Sequence, residues 1–195
     1  MEVILASQSP RRRELLSQIG VKYRCMVSDK EEKIDMGVPR EAVMRLSYQK
    51  AEDIYETVKK DIREDTLIVG ADTVVACDGR IMGKPSDNKN AEEMLKLLRG
   101  KCHSVWTGVT IIYISGENIV SDTFEAETRV YMYDMSDDEI KEYVESGEPS
   151  DKAGAYAIQG LGARYIEKIE GDYNNVVGLP VSQLYQKLKE YGIKI

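Results

Sequence analysis

Three arginines follow the first apolar segment of the chain at a spacing that suits phosphate chemistry. Residues 3–6 read Val-Ile-Leu-Ala, a Ser-Gln-Ser-Pro turn follows, and Arg11, Arg12 and Arg13 fall in the first turn of a helical pattern. The free N–H groups and the positive dipole end of a helix N-terminus suit a phosphate. Cations at that end weaken the helix by roughly 0.3–1 kcal/mol each. The cluster therefore indicates either a bound anion or a solvated basic turn.

A carboxylate that could act on water or bind a metal ion follows an apolar strand pattern. Asp72 comes after Gly70 and Ala71, whose small size leaves room for a bulky group to approach the backbone. Open α/β sheets bind ligands at the carboxyl ends of such strands. Asp72 is therefore a candidate for binding a divalent cation or orienting water; the alternative is a turn aspartate bonded to its own backbone. Glu32 is either a second metal carboxylate or a solvated side chain.

Two lysines are candidates for contacts with an anion. Lys50 lies seven residues after Val43 and four before Ile54, so it emerges from the apolar face of a helical pattern. A lysine there must either extend its ammonium to water or meet an anion, because an unpaired buried charge is costly. Lys84 precedes Pro85 in a stiff loop, where it is either a ligand contact or an ordinary surface lysine.

A segment rich in small residues carries a glutamine that could recognise a base. Residues 151–160 read Asp-Lys-Ala-Gly-Ala-Tyr-Ala-Ile-Gln-Gly, and small residues allow a flat ligand to approach the backbone closely. The amide of Gln159 both donates and accepts, which complements the edge of uracil or thymine. The alternative is a packed turn in which Gln159 has a structural role.

The composition argues against several classes of protein. The 195 residues carry a net charge of −7, so no broad positive field favours a nucleic acid polymer or a membrane surface. Three cysteines without C-x-x-C spacing suit a reducing compartment. The sequence lacks a G-x-x-x-x-G-K-[ST] loop and a G-x-G-x-x-G motif. We expect a soluble cytoplasmic protein, because no apolar segment suits a signal peptide or a membrane span.

The elements that must position these residues alternate between strand and helix. After the segment at residues 3–6, Ser9 is a favoured N-cap, Pro10 suits the first helical position, and Leu15, Leu16 and Ile19 form the expected buried face. Further helical patterns cover residues 40–60, 88–98 and 136–146, and a last helix is expected after Pro180. Further strand patterns cover residues 21–27, 67–75, 103–115, 119–133 and 164–169, and residues 147–162 are predicted to form a loop. The pattern favours an α/β fold in which helices flank a mixed, strongly bent sheet with a groove between two lobes.

Seven short motifs occur in a characteristic order along the chain. They are Leu-Ala-Ser-Gln-Ser-Pro-Arg-Arg at 5–12, Gln-Lys-Ala at 49–51, Gly-Ala-Asp-Thr at 70–73, Gly-Lys-Pro at 83–85, Thr-Gly-Val at 107–109, the segment 151–160, and Val-Gly-Leu-Pro at 177–180. Their order and spacing together resemble the Maf family of nucleoside triphosphate pyrophosphatases over essentially the whole chain.

The resemblance implies a fold and a reaction. The expected fold is an elongated α/β domain over residues 1–195, similar to that of inosine triphosphate pyrophosphatases, with nucleotide in a central cleft between two lobes. The expected protein is a cytoplasmic homodimer that splits a nucleoside triphosphate between its α and β phosphates, with Mg²⁺ or Mn²⁺ as cofactor.

The resemblance also implies roles for particular residues. Asp72 would accept a proton from water and, with Glu32, hold the metal ion. The polyphosphate would be bound by Ser7, Arg11, Arg12, Lys50 and Lys84.

Three further positions distinguish two branches of the family. Arg11, Thr73 and Gln159 match the branch that resembles dTTP and UTP pyrophosphatases, whereas the 7-methyl-GTP branch has Trp, Gln and Glu there. A glutamate would accept hydrogen bonds from guanine N–H groups, while a glutamine complements a pyrimidine edge. The alternatives are a 7-methyl-GTP pyrophosphatase and a nucleotide-binding regulator of cell division, which the family's association with septum formation suggests.

Overall fold

Seven strands form one mixed sheet within the residues that the computed structural model describes, which are 1–28, 37–62 and 64–195. The strands are β1 (Glu2–Ala6), β2 (Arg24–Met26), β3 (Thr66–Cys77), β4 (Arg80–Met82), β5 (Cys102–Ser115), β6 (Asn118–Met132) and β7 (Ile166–Glu170). Their order is β2-β1-β3-β5-β6-β7, and β4 pairs with β3.

Helices flank the sheet, as the sequence predicts. The α-helices are α1 (Pro10–Gln18), α2 (Pro39–Val58), α3 (Asn88–Leu98), α4 (Asp137–Glu145), α5 (Tyr173–Val177) and α6 (Val181–Glu190). The mixed α/β class is confirmed, while the elongation, the bend and the central cleft stay predictions. Among the described residues, no helix is both long and apolar enough to span a membrane.

The pairing of β1 and β3 determines where the candidate residues fall. These strands run parallel, with Glu2 opposite Thr66 and Ala6 opposite Gly70. β1 ends at Ala6, whereas β3 continues to Cys77, where a tight turn at Asp78 and Gly79 leads into antiparallel β4. The loop after β1 and the middle of β3 therefore lie side by side.

One compact unit comprises Met1–Asp72, Thr107–Ala126 and Gly178–Ile195. Its core includes a cluster of aliphatic residues from three strands and one helix. Ile4, Ile68 and Ile112 supply the strand side of this cluster, and Ile54 supplies the α2 side. The buried face of α2 thus packs on the central strands of this unit.

The other compact unit comprises Thr73–Trp106 and Glu127–Val177. Its core contains Leu95 of α3 and Tyr143 of α4, both fully buried. His103 is also buried, with Nε2 2.7 Å from the hydroxyl oxygen of Tyr156. Burial lowers the pKa of His103 to about 4, so the imidazole is neutral near pH 7.

Several predicted elements lie where the sequence placed them, and three differ. α3 has the predicted bounds, and α4 begins after Ser136, whose side chain and that of Glu139 form a capping box. The strand predicted at 21–27 shortens to β2, and α5 was not predicted. The predicted loop at 147–162 instead holds the 3₁₀ helices Glu148–Asp151 and Ala153–Ala155 and the start of Gly160–Tyr165. A 3₁₀ turn needs only a few i→i+3 bonds, so it leaves little periodicity in the sequence.

Candidate active site

Arg12 is the arginine of the basic cluster that the fold buries. It shares the inner face of α1 with Leu15 and Leu16, and 8% of its surface is exposed. Its Nη1 donates to Ser7 Oγ at 3.1 Å, and its Nε donates to the carbonyl oxygen of Gly178 at 2.8 Å. These bonds fix the guanidinium between the loop after β1 and the segment before α6.

The remainder of α1 departs in two respects from its sequence pattern. Ser9 occupies the N-cap position without a side-chain cap, and its own N–H instead donates to Ser7 Oγ at 3.2 Å. Ile19 was predicted on the buried face but is 40% exposed, because α1 ends at Gln18 and Ile19 is already its C-cap. Pro10 begins the helix as predicted, and Arg11 is half-buried.

Lys50 and Asp72 form a close, largely buried ion pair. Lys50 Nζ lies 2.6 Å from Asp72 Oδ1, and their side chains are 14% and 12% exposed. Lys50 therefore meets an anion rather than only extending to water, and Asp72 bonds across to a helix rather than only to its own turn. A charge-assisted bond of this kind orients the carboxylate.

Its position after the apolar segment predicts Asp72 at the carboxyl end of a strand, and the structure places it elsewhere. It is in the middle of β3, which runs on for five more residues to Cys77. The parallel neighbour β1 ends opposite Gly70, so Asp72 lies just beyond the last residue of the parallel pairing. The prediction that β3 ends at Asp72 was therefore wrong. Asp72 nevertheless lies just beyond the carboxyl end of β1, and the carboxyl ends of parallel strands are the usual location of ligands in such sheets.

Two glycines allow α2 to approach the sheet closely enough for Lys50 to reach Asp72. A Cβ added at Gly70 would lie 2.9 Å from the backbone nitrogen of Ala51, and one added at Gly108 would lie 2.8 Å from that of Met44. Gly70 therefore leaves space for the helix backbone, and this corrects the expectation that it leaves space for a ligand. Ser47 Oγ also lies 3.0 Å from Thr110 Oγ1, which links α2 to β5.

The remaining described candidates belong to the second unit. Thr73 follows Asp72 and faces the opposite side of β3, because side chains alternate along a strand. Lys84 is exposed in the segment between β4 and α3, and Gln159 is half-buried directly before the 3₁₀ helix Gly160–Tyr165. Glu32 lies outside the described residues.

Two residues that no sequence motif marks as functional fix the backbone around Gln159. Tyr143 OH donates to Glu148 Oε1 at 2.8 Å, and Glu148 also accepts backbone bonds from Leu161 and Gly162 at 2.9 Å each. In the sequence, Tyr143 fits only the pattern of buried apolar positions along α4. Glu148 is half-buried, and although burial raises its pKa, the backbone donors prevail and its pKa lies below the ordinary value.

Asp72 could serve as one ligand of a divalent cation whose other ligands are phosphate oxygens and water. Across the described residues, no group of three or more His, Cys, Asp or Glu side chains is placed to hold a metal. Mg²⁺ is commonly bound by one or two carboxylates together with substrate phosphates and water. Asp72 can supply one such carboxylate.

The family model described as Maf-like protein matches residues 2–191, and the chain belongs to this family. It is 45% identical over 195 residues to the "dTTP/UTP pyrophosphatase" of Lachnoclostridium phytofermentans, covering 100% of this chain and 97% of that protein. It is 46% identical over 203 residues to the protein of that name from Agathobacter rectalis, covering 100% of this chain and 99% of the relative.

Among solved structures, the chain is similar to a nucleoside-triphosphatase / dITP/XTP pyrophosphatase from Mycobacterium abscessus. The identity is 13% and the TM-score is 0.39, with 98% of this chain and 94% of that chain covered.

Proposed function

We propose that this chain hydrolyses dTTP and UTP to the nucleoside monophosphate and pyrophosphate. The observation that carries the proposal is the Lys50–Asp72 pair, held just beyond the end of parallel pairing beside the loop that contains Ser7. The full-length relatives at 45% and 46% identity, whose printed names describe this activity, support it.

Asp72 is the proposed proton acceptor. Its carboxylate takes a proton from water as the water oxygen bonds to the α-phosphorus, and the bond from that phosphorus to the bridging oxygen breaks. Pyrophosphate leaves with the bridging oxygen. Lys50 holds Asp72 Oδ1 at 2.6 Å and so limits the directions in which the carboxylate can accept the proton.

The basic residues are proposed to bind the polyphosphate. Phosphoryl chemistry depends mainly on positioning and on neutralising charge. Arg12 is fixed by Ser7 and Gly178, which suits it to hold a phosphate in one place. Arg11 and Lys84 are proposed as further contacts, with Ser7 as a hydroxyl contact.

A divalent cation, Mg²⁺ or Mn²⁺, is the proposed cofactor. When bound, it would neutralise phosphate charge and polarise the reacting phosphate. Asp72 is its proposed ligand in the described part of the chain, and Glu32 remains the second predicted ligand.

Arg11, Thr73 and Gln159 are the proposed determinants of the pyrimidine preference. Gln159 would pair with the base edge, since its amide offers one donor group and one acceptor. We further propose that residues 1–195 work as one functional domain, in a cytoplasmic homodimer.

Release of pyrophosphate from a panel of nucleotides tests the proposal. The panel is dTTP, UTP, CTP, GTP and 7-methyl-GTP, each with Mg²⁺, with Mn²⁺ and with a chelator. We expect hydrolysis of dTTP and UTP to exceed that of the others at least tenfold in kcat/KM, and to stop with chelator. Preferred hydrolysis of 7-methyl-GTP, or no hydrolysis of any nucleotide, would overturn it.

A further inference from the structure

The Glu148 carboxylate binds the backbone that directly follows Gln159. Oε2 accepts from the backbone N–H of Leu161, and Oε1 accepts from that of Gly162, both at 2.9 Å. These two residues follow Gln159 by two and three positions. The carboxylate therefore fixes the exit from the turn.

Tyr143 fixes the entry to the same turn. Its hydroxyl accepts from the backbone N–H of Ala157 at 3.1 Å and donates to Glu148 Oε1 at 2.8 Å. Tyr143 is fully buried on α4, so its ring cannot follow a shift of the turn. Residues 157–162 are thus tied at both ends to one polar network.

The network uses backbone N–H groups and a tyrosine hydroxyl, and it does not use the side chain of Gln159. Gly160 leaves space for the Glu148 carboxylate, because a Cβ there would lie 3.1 Å from Glu148 Cδ. Its φ of +77° also favours glycine at this position. The carboxylate thus supplies acceptors for two backbone N–H groups of this turn.

We propose that Glu148 is a positioning residue for base selection, acting through the turn that carries Gln159. The proposal rests on the proposed pyrimidine triphosphate activity. A base-reading amide discriminates only when its backbone is held in place before the base arrives, because a mobile one adapts to the wrong base. Glu148 supplies that rigidity without touching substrate.

Replacing the carboxylate with an amide tests this role with little change of shape. In Glu148→Gln, one oxygen acceptor becomes an NH₂ donor that faces a backbone N–H, so at least one bond to the turn is lost. We expect the ratio of kcat/KM for UTP to that for GTP to fall roughly tenfold. We expect the inhibition constant of inorganic tripolyphosphate to stay within about twofold, because phosphate binding does not depend on the turn.

Two further variants separate positioning from general damage. Tyr143→Phe keeps the ring and removes both hydroxyl bonds, so it should lower the same ratio in the same direction. Glu142→Gln is the matched control, since Glu142 is an exposed carboxylate on α4, next to Tyr143, with a 3.5 Å contact to Arg164. The control should leave the ratio unchanged.

Hydrogen exchange without nucleotide distinguishes a failure of this inference from a failure of the proposed activity. Glu148→Gln should speed exchange of the amides of Ala157, Leu161 and Gly162, even if the wild-type protein hydrolyses no pyrimidine triphosphate. Unchanged exchange at these amides would overturn the inference. So would an unchanged UTP-to-GTP ratio in both variants, or an equal loss for every nucleotide and for tripolyphosphate.

Discussion

At the scale of single residues, the fold gives charged and polar side chains partners that restrict their motion. Lys50 and Asp72 are 2.6 Å apart, and Arg12 makes bonds to Ser7 and Gly178. In the proposed reaction, a charge held in this way would provide a fixed field for the phosphate and need little rearrangement. Arg11 and Lys84, the further phosphate contacts of the proposed function, are more exposed than Arg12.

His103 gives the molecule a titration that links stability to pH. Its folded pKa is about 4 because burial disfavours the charged imidazole, whereas the ordinary value is 6.5. Below pH 6.5 the unfolded chain therefore binds a proton that the folded chain does not, and the free energy of unfolding falls with falling pH. We expect this group to remove roughly 2–3 kcal/mol between pH 7 and pH 4.5.

Urea unfolding of wild type and His103→Gln at both pH values measures the effect. Glutamine can still bond to Tyr156 but cannot take up a proton, so the variant should show a smaller decrease by about that amount. An equal decrease in the two proteins would show that the titration of His103 does not contribute.

At the scale of elements, α2 is the part that delivers Lys50, and its position depends on two glycines. Added methyl groups at Gly70 or Gly108 would meet the helix backbone, which cannot rotate away as a side chain can. The sequence predicted the helix, its apolar face and Lys50 upon it. It did not predict that glycines on β3 and β5 face α2, since nothing in the local pattern reveals which element covers a strand.

Gly108→Ala should weaken both the fold and the site. We expect the free energy of unfolding to fall by roughly 1–3 kcal/mol, because the added methyl group overfills a close contact. We also expect kcat to fall, because a displaced α2 lengthens the distance from Lys50 to Asp72. Gly37→Ala is the control, since an added Cβ there meets no atom of the described residues within 4 Å. Wild-type stability and turnover in Gly108→Ala would contradict the account of α2.

Predictability also differed among the other elements. The bounds of α3 follow from its apolar periodicity and its cap at Asp87, which are both local signals. The turns in 147–162 are held by Glu148 and Tyr143 through contacts with residues up to 14 positions away. A short polar segment without periodicity does not reveal such partners.

At the scale of the whole molecule, the candidate site depends on contacts between distant parts of the chain. Arg12 bonds to Gly178, 166 positions away, and Lys50 to Asp72, 22 positions away. The residue types and motifs were enough to select these residues from the sequence. The sequence did not reveal which residues pair with them, because these long-range pairs follow from the register of β1 with β3 and from the packing of α2.

The activity of Asp72→Asn tests the central claim most directly. Asparagine keeps the shape of the side chain but cannot accept the proton of water, so kcat for UTP should fall roughly 10²–10⁴-fold. Binding of UTP should remain measurable by calorimetry. Asp78→Asn is the matched control, since Asp78 also pairs with a lysine, Lys101, at 2.7 Å. Loss of turnover in Asp72→Asn alone is the predicted result, and wild-type turnover in that variant would contradict the account.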